Sequence, residues 1–558
     1  MPILDSSAFA GSDALPESLR CDICIVGTGP AGATIARELS NTSLRVTVLE
    51  SGGSERQEES DALNEIESVG WPRVMDQWLV RNRMVGGSSS TWHGRCAAFN
   101  EIDLQLRDWI PYSGWPLEIA HLIPYFQRGE KYLGLGAGSW LTGDAIWRHI
   151  GHQKPKPDLD EEALLPMFWQ FSRDPIRRYD AVRFGRHLSA GDLGQNVTLV
   201  TNATVLRVRA AETGTAVESV EFAASGKRRW SLPAPTVVLC AGGIENARLL
   251  LSSNDVVTQG LGNRNELVGR FLMDHPRGQV ARFEVAQASA VLNRFGPFKS
   301  HAAGANLYQF GARLSPAIQR SERLPNCAIW VSKHNAADDP WDALSRLASG
   351  KASVPQDLLA ILRKSDLLFR GLKERFISYR SLARKLDSLF LEAMCEQVPN
   401  PSSRITLSDR RDRLGMRLPR IDWRVCEEEA RALRRTTELM IKQISRMGLE
   451  PPVPEEWVRD RAMLPPTVQD IAHPTGTTRM AQDPAQGVVD AQCQVHGVNG
   501  LFVAGSSVFP TAGHANPTQM IVVLALRLAD TLKGRTTALS KLGTGPMVSI
   551  QDGARPEA

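Results

Sequence analysis

The stretch CDICIVGTGPAGATIARELSNTSLRVTVLESGG, residues 21–53, decides the fold. A β-rich run ends at Val26, and Gly27, Gly29 and Gly32 then supply the pattern G-x-G-x-x-G. A helical run with apolar Ala33, Ala36 and Leu39 follows. A second strand, RVTVLE, ends in Glu50, 18 positions past Gly32. Strand, glycine turn, helix, strand and terminal acid are the parts of a dinucleotide-binding βαβ unit. Gly27 permits the tight turn, Gly29 lets backbone N–H groups approach a pyrophosphate, and Gly32 allows the helix to pack closely. Pro30 and Ala31 begin a helix whose N-terminus offers unpaired N–H donors and a positive dipole end to phosphates. Glu50, with Ser51 beside it, is placed to accept hydrogen bonds from ribose hydroxyls, and its charge disfavours a 2′-phosphate. The motif alone does not separate NAD from FAD.

The rest of the chain adds further glycine-rich punctuation. RNRMVGGSSSTWHGRCAAFN, residues 81–100, has small and hydroxyl residues without apolar periodicity, and reads as a loop that lays backbone against a ligand. NVTLVTNATVLRVR and PTVVLCAGGIENARLLLSSN read as strands, the second followed by a glycine turn and a short helix. VNGLFVAGSSVFPTAGHANPTQMIVVLALRLADTL reads as a strand at 501–504, a polar glycine loop and a helix opening at Pro517.

Length and composition bound the rest. The 558 residues exceed one ordinary core and imply two or three domains. Hydrophobic residues at 42% and charged residues at 23% fit a globular protein, and a formal charge of +4 argues against nucleic-acid binding. The N-terminal twenty residues lack a basic region with a long apolar core, and no run reaches ~18 apolar residues, so neither a signal peptide nor a transmembrane span is expected. The eight cysteines are scattered, so a cytoplasmic home is the default, with periplasmic export alongside a partner protein as the alternative. Cys21 and Cys24 have C-x-x-C spacing but lie on a buried strand, so neither a redox pair nor a metal site is expected.

Taken together, these pieces identify a resemblance. The N-terminal fingerprint, GGSSSTW, SGWPLEIAHLIPYF, AGGIENARLL, GRFLMDHP, CEQVPNPSSRITL, HPTGTTRM and GSSVFPTAGHANPTQM run in order from about residue 20 to 532. They resemble the glucose–methanol–choline (GMC) oxidoreductase family, which binds FAD. GGIENARLLL and PTAGHANPT are most similar to its sugar-oxidising branch, the pyranose oxidases and bacterial sugar dehydrogenases. The resemblance implies an α/β fold, α+β overall: a Rossmann-like FAD-binding domain, discontinuous in sequence, and a substrate domain of antiparallel sheet and helices. The FAD domain would comprise residues 18–110, 190–280 and 466–535. The substrate domain would comprise 111–189 and 281–465, and 536–558 would be a flexible tail.

Beside the fingerprint, the resemblance implies cofactor contacts in the second glycine loop, at Arg83, Gly86, Gly87, Ser88, Ser90, Thr91 and Trp92. It implies others at Thr204 and Val205, at Ala241, Gly242 and Asn246, and at Ala504, Gly505, Ser506, Asn516, Pro517 and Thr518. In some relatives a histidine five residues after the loop's first glycine bonds the flavin covalently. In this chain that position is Thr91, with His93 out of register, so a dissociable FAD is expected. Ala481 stands where many relatives have glycine.

Within CAIWVSK and SRITLSDRRDRLGMRLPRIDWRV the pattern predicts strands of an antiparallel sheet with charged turns. Between them, Leu358, Leu362, Leu368, Leu372 and Phe376 recur at helical spacing among eight Lys or Arg between Arg363 and Lys385. This basic amphipathic helix, near 355–390, either covers a core or touches a membrane or electron-transfer partner.

The chemistry implied by the family is removal of a hydroxyl proton and transfer of a hydride to flavin N5. His473 in IAHPTGTTRM is the expected base, since an unperturbed imidazole titrates near ~6.5. Family members place His or Asn opposite it. Asn516 cannot take a full proton, so it becomes the group that positions substrate, and Asn before Pro517 also suits a helix N-cap. His514 is a substrate-facing or supporting residue. The helix after Asn516 would aim its N-terminus at the flavin. The expected substrate is a small-molecule alcohol, a secondary hydroxyl of a sugar or glycoside, with O2, a quinone or a cytochrome as electron acceptor and no metal. A non-sugar alcohol, hydroxynitrile-lyase chemistry and a non-catalytic electron relay stay open as alternatives.

Overall fold

The computed structural model describes residues 1–9, 15–16, 19–73, 77–141, 144–151, 154, 156–177, 180–224, 228–300, 306–348, 354–363, 367–368, 371 and 384–542. Its first layer is a six-stranded, wholly parallel sheet. In spatial order the strands are Ile3–Asp5, Val197–Thr201, Val46–Leu49, Ile23–Val26, Val237–Leu239 and Leu501–Val503. The inner strands are short and buried on both faces, as a sheet covered from both sides requires. Helices Pro30–Leu39 and Thr518–Leu542 pack on one another beside it. Cys21 and Cys24 are buried free thiols, 6% and 0% exposed. Burial pushes the Cys21 thiol up to about 11.

The second large sheet has eight antiparallel strands. Along it run Val453–Pro454, Arg277–Phe283, Leu386–Cys395, Cys327–Asn335, Leu307–Leu314, Leu164–Phe171 and Arg95–Cys96, with Phe298–Lys299 beside Leu307–Leu314. The two-residue period of a strand divides its side chains. Phe168, Ile329, Val331 and Leu391 pack in a core with the long helix Glu427–Arg446. Trp169, Trp330, Ala328 and Met394 point the other way, into the core shared with the parallel sheet. That alternation carries two tryptophans towards the nucleotide-binding layer.

Several expectations are corrected. The hairpin Arg404–Arg411 and Arg417–Trp423 is antiparallel, but it joins Glu67–Gly70 in a separate three-stranded sheet. Strand Ile3–Asp5 lies before the expected start at residue 18 yet pairs with Val197–Thr201. Strand Arg277–Phe283 straddles the expected boundary at 280. The last helix runs to Leu542 rather than ending at 535, and residues 543–558 lie outside the described residues. Of the basic amphipathic segment, helix Val354–Arg363 is described, with Leu358 and Leu362 46% and 73% exposed. Leu372 and Phe376 lie outside the described residues. Its expected end is instead strand Leu386–Cys395, whose β-facing residues bury at the sheet centre.

Candidate active site

Three adjacent parallel strands end in glycine turns on the same edge. Gly29 follows Ile23–Val26, Gly242 follows Val237–Leu239, and Gly505 follows Leu501–Val503. A Cβ built on any of the three meets no protein atom within 4 Å. By contrast, a Cβ on Gly32 would lie 2.0 Å from the Gly27 carbonyl oxygen, so that glycine serves helix-to-turn packing. The three open glycines border a space where backbone can meet a ligand. The helix starting at Pro30 has no side-chain cap at its N-terminus, which leaves N–H donors for an anion.

Glu50 lies 5% exposed at the end of its strand. Its carboxylate accepts from the Thr28 backbone N–H at 3.0 Å and the Gly52 N–H at 3.1 Å. Burial raises its carboxyl above the ordinary range, with the Thr28 and Gly52 bonds working against that rise. Thr28 also accepts from the Gly86 N–H at 2.9 Å, which stitches the second glycine loop to the first. A Cβ on Gly87 would sit 3.1 Å from Gly29 Cα, so those two turns touch through backbone. Ser51 and Thr204 share a hydroxyl hydrogen bond of 2.8 Å, and Val205 is buried beside them in the same strand. This set could hold a dinucleotide with an adenosine ribose at Glu50 and a pyrophosphate at Gly29.

Some expected contacts are spent inside the protein. Asn246 is fully buried: its Oδ1 accepts from the Ala241 N–H at 2.8 Å, and its Nδ2 donates to Ala504 O and Ser507 Oγ. It clamps the Ala241 and Ala504 turns together rather than facing a ligand. Arg83 donates to Asn64, Leu63 O and Ser51 and pairs with Glu245. Thr91 Oγ1 donates to Asn82, Trp92 Nε1 to Val182 O, and Ser506 Oγ to Pro474 O.

Of the two readings for His514, the supporting one matches its contacts. It is 1% exposed, with Nδ1 3.0 Å from the Asp103 carboxylate and Nε2 3.3 Å from Asn100 Nδ2. Although burial alone would raise Asp103, the His514 charge and hydrogen bond hold it well below the carboxylate range. His514 therefore ties the loop before the last helix to helix Glu101–Leu104.

The candidate reacting centre combines residues far apart in sequence. The backbone N–H groups of Ile471 and His473 donate to Asp274, at 3.2 and 2.9 Å. Arg73 bridges Asp274 and Asp470 at 3.1 and 3.0 Å, all three side chains at most 2% exposed. Burial works to raise the Asp274 carboxyl, but Arg73 and the two histidines bring it below its usual range. The carboxylate thereby pins the loop that carries His473.

Next to Asp274, fully buried His275 links the two loops. Its Nε2 is 3.0 Å from Gly513 O, and its Nδ1 is 3.3 Å from His473 Nδ1. The rings are nearly perpendicular, at 89°. A carbonyl only accepts, so His275 Nε2 carries a proton. Burial lowers the His275 pKa, which favours the neutral ring. Its Nδ1 then holds a lone pair, His473 Nδ1 must donate to it, and the assigned tautomer leaves the basic lone pair on His473 Nε2.

Asn516 is oriented by the other sheet. Trp169 Nε1 donates to Asn516 Oδ1 at 2.9 Å. With the amide oxygen engaged, the amide NH2 is left as a donor, and among the described residues none takes it. The helix begins at Thr518, one residue later than an Asn516 N-cap would require. Sequence reasoning missed His275, Asp274 and Trp169. The first two lie in the quoted segment GRFLMDHP, whose His beside an Asp was the available signal.

The His473 pKa falls to about 3, through burial first and then His275 and Arg277, against the opposing pull of Asp274. The sign has a direct consequence. The folded ring stays neutral far below ~6.5, where an unfolded histidine protonates. Flavin reduction is therefore expected to show no loss with a midpoint near pH 6.5, which stopped-flow measurement across pH 5–8 checks. This residue's contribution to stability falls as pH drops from ~6.5 towards 3, because the unfolded chain binds the extra proton.

The site and fold define a flavin-dependent oxidoreductase. Residues 22–258 match the FAD dependent oxidoreductase family, and residues 399–525 match the GMC oxidoreductase family. The chain belongs to the GMC oxidoreductases and is an FAD-dependent enzyme. It is 22% identical to the fructose dehydrogenase large subunit of Gluconobacter japonicus, over 92% of this chain and 98% of that one. It is 23% identical to paromamine 6'-oxidase of Streptomyces fradiae, over 94% and 93%. A fungal aryl-alcohol oxidase shares the fold with a TM-score of 0.56 at 15% identity, over 93% of this chain and 99% of that one. Among the described residues no helix is long and apolar enough to cross a membrane.

Proposed function

We infer that this enzyme oxidises an alcohol, a secondary hydroxyl of a sugar or glycoside, to a carbonyl. The relay from Gly513 O through His275 to His473 carries this reading, because it leaves the unprotonated lone pair of His473 on Nε2, free to take a proton. Bound FAD supplies the hydride acceptor at N5. His473 takes the hydroxyl proton at Nε2. The Asn516 amide, turned by Trp169, donates to the hydroxyl oxygen and stabilises the negative charge that gathers there. Two relatives, named for fructose and for paromamine, support this reading.

In the same reading, 18–110, 190–280 and 466–535 hold FAD, extended by strand Ile3–Asp5 and by the last helix to Leu542, and 111–189 with 281–465 shape the substrate side. FAD is held without a covalent bond, since Thr91 stands where an attached histidine would be. O2, a quinone or a cytochrome accepts the electrons.

The test is anaerobic mixing of yellow holoenzyme with sugars, glycosides, polyols and simple alcohols. Bleaching of the flavin by a sugar or glycoside is the expected result. A flavin that stays oxidised while substrate turns over would overturn the reading in favour of lyase chemistry. Replacing His275 with leucine removes the acceptor for His473 Nδ1–H. It is expected to lower the reduction rate at saturating substrate about five- to tenfold, the worth of one hydrogen bond of roughly 1–1.4 kcal/mol. The apparent Kd for substrate should move little, which separates a tautomer effect from general loosening of the site.

A further inference from the structure

The sheet beneath the reacting pair carries more positive charge than it balances. Arg95 and Arg277 both lie over the ring of Trp330, each with its guanidinium carbon 5.5 Å from the centroid. Arg95 also lies 5.8 Å from the ring centre of Trp169, whose N–H holds Asn516. Arg277 is close enough to His473 to disfavour its protonation. Trp169 and Trp330 are each 1% exposed, while both arginines that lie over these rings are half-buried. Arg277 thus acts on His473 directly, and Arg95 lies across the Trp169 ring from Asn516.

Their counter-charges are unequal. Arg277 Nε pairs with Glu392 Oε1 at 2.7 Å. The other oxygen of Glu392 accepts from Ser332 Oγ at 2.8 Å, and Ser332 Oγ in turn accepts from Trp330 Nε1–H at 2.8 Å. Glu392 is thus committed. Arg95 donates from Nη2 to Gln309 Oε1 at 2.7 Å, and among the described residues it meets no carboxylate. Gln309 is itself anchored through Nε2 to Val331 O. The charges that bear on Arg95 are Arg277 and Glu392, two positive groups with Arg95 included and one negative. Burial, with Arg277, brings Arg95 down to about 10, which still leaves it cationic at neutral pH.

We propose that the substrate carries a carboxylate seated on Arg95, so that the oxidised alcohol is a hydroxy acid of the sugar-acid type. This rests on the alcohol-oxidising reading above. A planar guanidinium with unused N–H groups matches the two oxygens of a carboxylate. One surplus positive charge balances a monoanion and leaves a phosphate dianion overcharged. Half-burial makes the unpaired cation costly in the empty site, and a substrate carboxylate relieves that cost.

The test has two arms on the holoenzyme. In the first, methyl glucuronide, methyl glucoside and glucose 6-phosphate are compared as anaerobic flavin reductants. The glucuronide is expected to exceed the glucoside in kcat/KM by about tenfold or more. In the second, malonate and its neutral diamide, neither of which has a hydroxyl to oxidise, are titrated while the flavin spectrum is followed. Malonate is expected to shift the spectrum and malonamide to leave it. Arg95→Leu should collapse both preferences, and Arg95→Lys should retain part of them. FAD content and Tm establish that the variants fold. Equal or better use of the glucoside by the wild type, with malonate silent, overturns the proposal. So does a preference that survives in Arg95→Leu, and so does a preference for the phosphate. Malonate binding that depends on Arg95, with no alcohol oxidised, supports the anion site and overturns the alcohol reading instead.

Discussion

Replacing His473 with alanine lowers the rate of flavin reduction by about 10²–10⁴-fold, the range for loss of a positioned general base. FAD content is expected to stay near the wild-type level, because the His473 side chain touches His275 and not the glycine turns. The effect should fall on the reduction step, since the proton leaves as the hydride does. Rapid mixing under anaerobic conditions measures this step apart from re-oxidation. Reduction at the wild-type rate would remove His473 from the base role. A rise in rate with pH that appears only in the variant, as solvent hydroxide replaces the imidazole, would support it.

Two glycine substitutions three residues apart are expected to separate folding from cofactor binding. Gly32→Ala drives a methyl to within 2.0 Å of the Gly27 carbonyl oxygen, where the obstacle is backbone and cannot swing aside. Overpacking of this kind costs about 1–3 kcal/mol and distorts the turn that would hold the pyrophosphate. The expected product has a lowered Tm and little bound FAD. Gly29→Ala is different. Gly29 has φ −61°, which alanine adopts freely, and the added methyl meets no protein atom within 4 Å. The apo chain should fold with an unchanged Tm, yet FAD affinity should drop by about tenfold or more, because the methyl occupies the space assigned to phosphate. Fluorescence titration of apo protein with FAD reads the effect. Normal affinity in Gly29→Ala would displace the pyrophosphate from this turn.

The parts of this site that were legible in the sequence are those encoded by contiguous residues. Gly27, Gly29, Gly32 and Glu50 lie within one βαβ unit, so spacing along the chain is spacing in space. His473 and Asn516 stood out because each sits in a short loop whose neighbours, Pro474 and Pro517, resemble the family pattern. Side chains that orient those groups were not legible. Trp169 and Asn516 are 347 positions apart, and His275 and His473 are 198 apart. Nothing in local periodicity records such a meeting. The same limit hid the partners of Asn246, in the helix after a glycine turn, and left His514 between two readings, because their hydrogen bonds run to distant Ala504 and Asp103. It also misread residues 386–395, where basic helical spacing upstream hid a strand whose partners come from elsewhere in the chain.

The sequence by itself determined that a nucleotide turn exists, which acid ends its second strand, and which histidine and asparagine are the candidates for the chemistry. Local backbone geometry suffices for each of these. Only the tertiary structure decided which nitrogen of His473 is basic, which end of the Asn516 amide is free, and where Arg95 lacks a counter-ion. Those properties belong to hydrogen bonds and charges between segments, and they exist only once the two sheets have packed together.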